Sequence, residues 1–308
     1  MAKSEQVVEV DGRELKLTNL EKVLYPKAGF TKGEMVDYYA RVAPAIVPHL
    51  KGRPLTLRRF PEGVDDLDAA FFEKRCPKHR PKWVKTAKVQ ADTGEIDFCV
   101  CEDRATLVWM AQLAGIELHP SLSVARRPAQ PTVLAFDLDP GAPADVLDCC
   151  SIALRLRAIF GHFDLECFPK TSGSKGMQVY VPLNMKTGYD HTKPFARAIA
   201  QLLEKQTPDL VVSKMAKADR RGKVFVDWSQ NHQSKTTIAV YSLRARERPT
   251  VSTPVGWDEV EAALKAEDAS RLVFEADDVL ERIEKRGDLF EPVLELKQKL
   301  PDPAKLAG

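Results

Sequence analysis

The sequence lacks the features that would mark it as a membrane or secreted protein. No apolar run approaches the roughly 20 residues of a bilayer-spanning helix, and the N-terminus, MAKSEQVVEV, lacks the basic-then-apolar pattern of a secretory signal. A cytoplasmic protein with no membrane association is therefore expected. A charge excess of either sign is also missing: 46 Lys and Arg stand against 44 Asp and Glu, a formal +2. Overall charge then does not point to nucleic acid, and local clusters must carry any such role. There is no internal repeat and no low-complexity segment, which excludes solenoids and disordered tails. The G-x-x-x-x-G-K-[ST] spacing of a P-loop is absent. Cysteine is sparse, six residues in all, and the adjacent Cys149 and Cys150 are poorly placed to bridge one another. Reduced thiols are the expectation for a cytosolic chain.

What is present suits an ordinary globular protein. The 308 residues are 44% hydrophobic, enough for one large domain or two closely joined ones. Residues 17–26, LTNLEKVLYP, read as a turn-like segment. Thr31 with Glu34 makes a capping box that predicts a helix to about His49, with Met35, Tyr38, Tyr39, Val42 and Ile46 on its apolar face. Residues 51–88 read as a loop-rich basic stretch with Phe60, Phe71, Phe72 and Trp83 interleaved. Asp103 caps a helix to Leu113, and His119-Pro120 ends that segment. A strand is predicted at 133–139, stopped by Pro140-Gly141, followed by helices at 144–160 and 191–206 and strands near 177–183, 223–229 and 236–243. From Trp257 onward the chain reads as helical and charged. The alternation predicts a mixed α/β fold.

The chemistry concentrates in three places. Asp137 and Asp139 project from one face of the predicted strand while Phe136 and Leu138 take the other. Adjacent carboxylates repel unless neutralised, and hard divalent cations such as Mg²⁺ or Mn²⁺ do this well. A third acid, Asp227, ends the apolar strand Lys223-Val-Phe-Val-Asp227, and three acids suit a two-metal site for in-line phosphoryl displacement. Taken alone, Asp-x-Asp before Pro-Gly is more often a solvated strand end. Between these strands, Thr171-Ser-Gly-Ser-Lys-Gly176 offers hydroxyls, amides and a cation suited to a triphosphate, although a plain hairpin turn is the blander explanation. Arg220, Arg221, Lys223, Lys235, Arg244 and Arg246 flank Asp227 in sequence. Separately, Cys76, His79, Cys99 and Cys101 have the ligand types of a structural zinc site. Their spacing is irregular, so small buried thiols are the favoured reading.

Seven motifs occur in order: TNLEKVLYP at 18–26, FFEK at 71–74, IELHP at 116–120, FDLDPG at 136–141, TSGSKG at 171–176, KVFVDWSQN at 223–231 and KTTIAVYSLR at 235–244. Together they span most of the chain and resemble the polymerase domain of bacterial DNA ligase D, of the archaeo-eukaryotic primase superfamily. The resemblance implies a mixed α/β primase-polymerase fold over residues 1–308. It divides into a DNA-end-binding portion at about 1–130, a catalytic portion at about 131–256 and a helical cap at about 257–308. It implies nucleotidyl transfer that fills gaps at DNA breaks, with a preference for ribonucleotides and two Mn²⁺ or Mg²⁺ ions at Asp137, Asp139 and Asp227. His119 is expected beside that site. Ser172, Lys175 and Arg244 are expected to hold the triphosphate, with Gln178, Arg220 and Gln230 in nucleotide- or template-proximal positions. Lys22 and Lys32, with Asn19, would grip a downstream 5′-phosphate, and Phe71 and Phe72 would stack on bases. Partners implied in the same way are gapped DNA, broken double-stranded ends, nucleoside triphosphates, Ku and an ATP-dependent DNA ligase, at the nucleoid. One departure stands out: the family motif reads Ser-Gly-Ser-Lys-Gly-x-His, and this chain has Gln178 where the histidine is expected. Glutamine donates a hydrogen bond but carries no charge and transfers no proton. The rival readings are a replicative or damage-tolerance primase-polymerase and a non-catalytic DNA-end bridging module.

Overall fold

The computed structural model describes residues 5–91 and 94–302. The chain folds into two compact units, each assembled from separated stretches: Met1–Ser121 with Thr236–Ser252 and Phe274–Asp288, and Leu122–Lys235 with Thr253–Val273 and Leu289–Gly308. The portions expected from sequence run in series along the chain, whereas these units interleave.

In the first unit β1 (Glu5–Val10) and β2 (Arg13–Thr18) form a hairpin, and β3 (Val23–Tyr25) pairs with β4 (Phe30–Thr31). Helix α1 (Lys32–Leu50) begins at the predicted box. The Thr31 hydroxyl accepts from the Glu34 amide at 3.2 Å, and the Glu34 carboxylate accepts from the Thr31 amide at 2.6 Å. Its apolar face is buried as expected; Tyr38 and Tyr39 each donate to a backbone carbonyl, of Tyr241 and Ile116. Strands β5 (Leu55–Arg59), β6 (Phe71–Glu73), β7 (Thr86–Ala91) and β8 (Gly94–Cys99) form a sheet in the order β6-β5-β8-β7. Helix α2 (Arg104–Gln112), capped by Asp103, leads to β9 (Gly115–Pro120), which pairs antiparallel with β5. Helix Ala276–Arg286 belongs to this unit and ends at Gly287, whose φ of 69° relieves the last turn.

In the second unit β10 (Val133–Pro140), β11 (Phe168–Thr171), β12 (Met177–Pro182), β13 (Val211–Val212) and β14 (Val224–Asp227) form a sheet in the order β11-β12-β10-β14-β13. All neighbours are antiparallel except β13 and β14. Helix α3 (Val146–His162) covers the Phe136 and Leu138 face: Phe136 meets Phe160 at 5.6 Å, and the Cys149 thiol donates to the Leu138 carbonyl. Helix α4 (Tyr189–Gln206) and helix α5 (Trp257–Ala266) complete the unit, with a single turn at Pro292–Glu295.

Several sequence expectations are corrected here. The segment 17–26 is not a plain turn, since it contains the end of β2 and all of β3. The basic stretch is not all loop but carries β5 and β6, whose pairing sets Arg58 opposite Phe72 and Arg59 opposite Phe71. His119-Pro120 does not end a helical segment but lies in β9. Residues 236–243 form only isolated bridges, Ser121 with Thr236 and Leu243 with Val251, because Tyr241 takes a left-handed φ of 63° that a continuous strand does not tolerate. The thiols are not all reduced. Cys76 and Cys99 form a disulfide with a Cα–Cα distance of 4.8 Å, within the normal bridging range, while Cys101 is buried and free. That bond uses two of the four ligands of the zinc reading.

Replacing Thr31 with Ala is expected to lower the unfolding free energy by about 1 kcal/mol through loss of the reciprocal cap. Denaturant titration followed by circular dichroism measures it; an unchanged midpoint at constant slope would show that the box contributes nothing.

Candidate active site

Strand register builds the site. Asp137 sits opposite Gln178 of β12 on one side and opposite Asp227 of β14 on the other, while Gln178 faces Lys170 of β11. Lys170, Gln178, Asp137 and Asp227 thus form one row across four strands. Residues paired in a ladder share a face, so two carboxylates, an amide and an ammonium are brought to the side opposite α3. Asp139, two positions on, shares that face and is half exposed, at 52% of its side-chain surface.

Each acid has a specific neighbourhood. Gln178, buried, donates from its Nε2 to Asp137 Oδ1 at 3.0 Å. Asp227 Oδ1 accepts from the Ser229 amide and hydroxyl at 2.9 and 2.6 Å, and its Oδ2 accepts from Gln230 Nε2 at 2.9 Å. Arg220 Nη1 lies 3.5 Å from Asp139 Oδ2, and its guanidinium stacks 3.7 Å from the Phe225 ring centroid. Burial above all pushes the Asp137 carboxyl up to about 6; Gln178 and Lys170 oppose the rise, and the Asp227 and Asp139 charges add to it. Lys170 is fully buried, with its ammonium 5.6 Å from the Tyr180 ring.

Two glycines let the surrounding loops press onto β10. A Cβ on Gly176 would lie 2.0 Å from the Leu138 carbonyl oxygen, and one on Gly141 would lie 1.9 Å from that of Arg220. No other residue fits, which is why the hairpin 171–176 and the Arg220 turn can border the carboxylate strand. Inside the hairpin the Ser172 hydroxyl accepts from the amides of Ser174 and Gly176, both at 3.2 Å, while Lys175 is exposed at the tip. Ser172 therefore shapes the loop, and Lys175 offers its charge to solvent.

The remaining expected site residues lie in the first unit. His119 and Arg244 both meet Glu117, which is 2% exposed: His119 Nε2 is 3.0 Å from Oε2, and Arg244 Nε is 3.0 Å from Oε1. Burial opposes the charge on Glu117, yet the His119 hydrogen bond and the Arg244 cation hold its carboxyl well below the usual range. Burial lowers the His119 imidazole, against the pull of Glu117. Phe71 and Phe72, at 43% and 59% exposure, stand on β6 with Arg59 and Arg58 against their rings, so they are surface rather than core residues. Asn19 takes a left-handed φ of 57° and accepts the Lys22 amide at 3.1 Å. The Lys32 amide donates to the Lys22 carbonyl at 2.8 Å, and its ammonium to the Thr18 carbonyl at 2.8 Å. Burial first, then Lys22 and Arg59, lower the Lys32 ammonium to about 8. Sequence reading missed Glu117 and Lys170. Glu117 lies within the IELHP motif, two residues before its histidine, and Lys170 directly precedes the TSGSKG loop.

The donor set suits a hard cation, since Asp137 and Asp227 offer carboxylate oxygens from directly paired positions. Among the described residues no group of three or more His, Cys, Asp or Glu side chains is already gathered into a metal cage; the oxygens of Asp227 are turned to Ser229 and Gln230.

The site is thus a mixed sheet carrying acids on neighbouring strands beside a Gly/Ser hairpin with an exposed lysine. The model of the LigD primase-polymerase domain matches residues 31–290. The chain is 42% identical over 281 residues to the multifunctional non-homologous end joining protein LigD of Mycolicibacterium smegmatis, covering 91% of this chain and 36% of that protein. It is 32% identical over 279 residues to the bifunctional non-homologous end joining protein LigD of Bacillus subtilis, covering 90% and 43%. Its fold superposes on the polymerase domain from Mycobacterium tuberculosis Ligase D in complex with DNA with a TM-score of 0.84 at 41% identity, covering 91% of this chain and 98% of that one. This chain belongs to the LigD primase-polymerase domain family. It spans well under half the length of these curated relatives, and among the described residues no helix is long and apolar enough to cross a membrane.

The Asp137 shift carries a sign. With its folded value near 6 and its ordinary value near 3.8, the charged form weakens the fold fully above about pH 6, and the penalty vanishes as pH falls towards 4. In chelator-treated protein Asp137→Asn is therefore expected to raise the unfolding free energy by on the order of 2 kcal/mol at pH 8 and by almost nothing at pH 4. Urea titrations at the two pH values check this; equal stability of the two proteins at pH 8 would contradict it.

Proposed function

We propose that the chain is an end-joining polymerase, a nucleotidyltransferase that extends a primer 3′-hydroxyl at gapped or broken DNA ends and prefers ribonucleotides. The observation that carries this reading is the direct pairing of Asp137 with Asp227, with Asp139 two positions along the same face. Asp137, Asp139 and Asp227 would hold Mg²⁺ or Mn²⁺, and such ions lower the pKa of an attacking hydroxyl and offset charge on the departing oxygen. Gln178 orients one oxygen of Asp137, and Ser229 and Gln230 orient those of Asp227. Arg220, beside Asp139, and the exposed Lys175 supply positive charge for a triphosphate, work that guanidinium and ammonium groups do in complementary ways. Gln178 replaces the family's histidine as an uncharged donor, so this position holds Asp137 without exchanging a proton.

At the first unit's N-terminal turn, Lys32 is crowded by Lys22 and Arg59. A bound phosphate would relieve that repulsion, which supports recognition of a downstream 5′-phosphate by Lys22, Lys32 and Asn19. Phe71 and Phe72, exposed with arginines behind them, suit stacking on bases. Ku and an ATP-dependent ligase are proposed partners on the strength of the relatives' end-joining names.

Primer extension on a gapped duplex with Mg²⁺ or Mn²⁺ tests the reading. Asp137→Ala is expected to slow extension on the order of a hundredfold or more while DNA-end binding survives; an unaffected rate would count against the assignment of catalysis to these acids, and wild-type protein that binds ends but extends no primer would favour a non-catalytic bridging module. Combined Lys22→Ala and Lys32→Ala is expected to erase the advantage of a 5′-phosphorylated gap and to flatten the salt dependence of binding. Equal wild-type affinity for phosphorylated and unphosphorylated gaps, with efficient unprimed synthesis on single strands, would favour a replicative primase-polymerase instead.

A further inference from the structure

We propose that Glu117 is a positioning residue for nucleotide binding, holding Arg244, His119 and Arg58 as one array in the first unit. The inference rests on the nucleotidyltransferase reading and on the family resemblance, which implies that Arg244 holds the triphosphate. Glu117 lies on β9 directly opposite Arg58 of β5. Its Oε1 accepts from Arg244 Nε at 3.0 Å and from the Ala245 amide at 3.1 Å; its Oε2 is 3.0 Å from His119 Nε2 and 3.5 Å from Arg58 Nη1. A carboxylate so surrounded dictates the plane of each guanidinium and keeps the imidazole proton on Nε2. The array extends further: the Arg58 guanidinium lies 4.8 Å from the Phe60 ring and 5.4 Å from the Phe72 ring, and His119 meets Phe72 edge-on at 5.6 Å. One buried acid thereby ties the exposed aromatic to His119 and to the arginine expected at the triphosphate.

Stability alone does not account for this choice, since apolar groups of similar volume often replace buried ion pairs without loss. Orientation does account for it. Arg244 held through Nε presents its guanidinium in one direction instead of sampling many, which lowers the entropy lost on binding an anion.

The test is steady-state extension of a gapped duplex with saturating Mn²⁺ and varied ribonucleoside triphosphate, comparing wild type, Glu117→Gln, Arg244→Ala and the double variant. Glu117→Gln keeps the shape and removes the charge. The expected result is a rise of about tenfold in the KM for the nucleotide with kcat within about twofold, the loss of one charge-assisted bond. In the Arg244→Ala background the same substitution should change KM by less than about twofold, because its effect passes through the arginine. A purely structural residue would lower the melting temperature without splitting KM from kcat and would act independently of Arg244. An unchanged KM in Glu117→Gln, or independent effects in the double variant, overturns the proposal. Should Glu117→Gln fail to fold, Glu117→Asp retains the charge but withdraws it by one methylene, and the same KM rise or its absence decides. Wild-type protein that extends no primer would instead overturn the nucleotidyltransferase reading, and this inference with it.

Discussion

The antiparallel pairing of β10 with both β12 and β14 is the constraint on which the site depends. It seats Asp137 between Gln178 and Asp227 and gives Asp139 the same face. A slip of one residue in either ladder would turn the acids towards α3 and bring Phe136 and Leu138 to solvent. The packing of Phe136 on Phe160 and of Cys149 on the Leu138 carbonyl therefore defends the site from behind. Gly176 and Gly141 serve the same end from the sides, since any side chain there would collide with a carbonyl and lift the hairpin or the Arg220 turn from the strand.

The two units handle charge in opposite ways. In the second, acids are set side by side, and burial first, with the Asp227 and Asp139 charges adding to it, raises the Asp137 carboxyl. In the first, a single acid, Glu117, is surrounded by donors and stays charged, while Lys32 is weakened by burial and by its cationic neighbours. Adjacent acids favour cations and a cationic cluster favours anions, so the two units differ in the charge they attract. Such preorganisation keeps reorganisation small when the substrate arrives.

Much of this was legible in the chain. The Thr31 and Glu34 box, the Asp103 cap and the alternation of Phe136, Asp137, Leu138 and Asp139 are local signals, and local geometry enforces them. The exposure of Phe71 and Phe72 was not readable from the residues, because two adjacent phenylalanines by themselves read as core; only the family resemblance pointed to a stacking surface. The strands β5 and β6 were hidden for a related reason: Arg58 and Arg59 end β5, β6 is only three residues long, and neither shows a clear alternation. The Cys76–Cys99 bond joins residues 23 apart in sequence and depended on a loop meeting the end of β8.

By itself the sequence determined which residue types stand at which spacing: acids two apart on a strand, a glycine-flanked serine and lysine, a histidine two residues beyond a glutamate. Only the tertiary structure decided that Asp227 pairs with Asp137, that Lys170 and Gln178 complete their row, and that Glu117 gathers Arg58, His119 and Arg244. The reason is that spacing along one strand follows from backbone geometry, whereas register between strands and the burial of a charge depend on how distant segments pack.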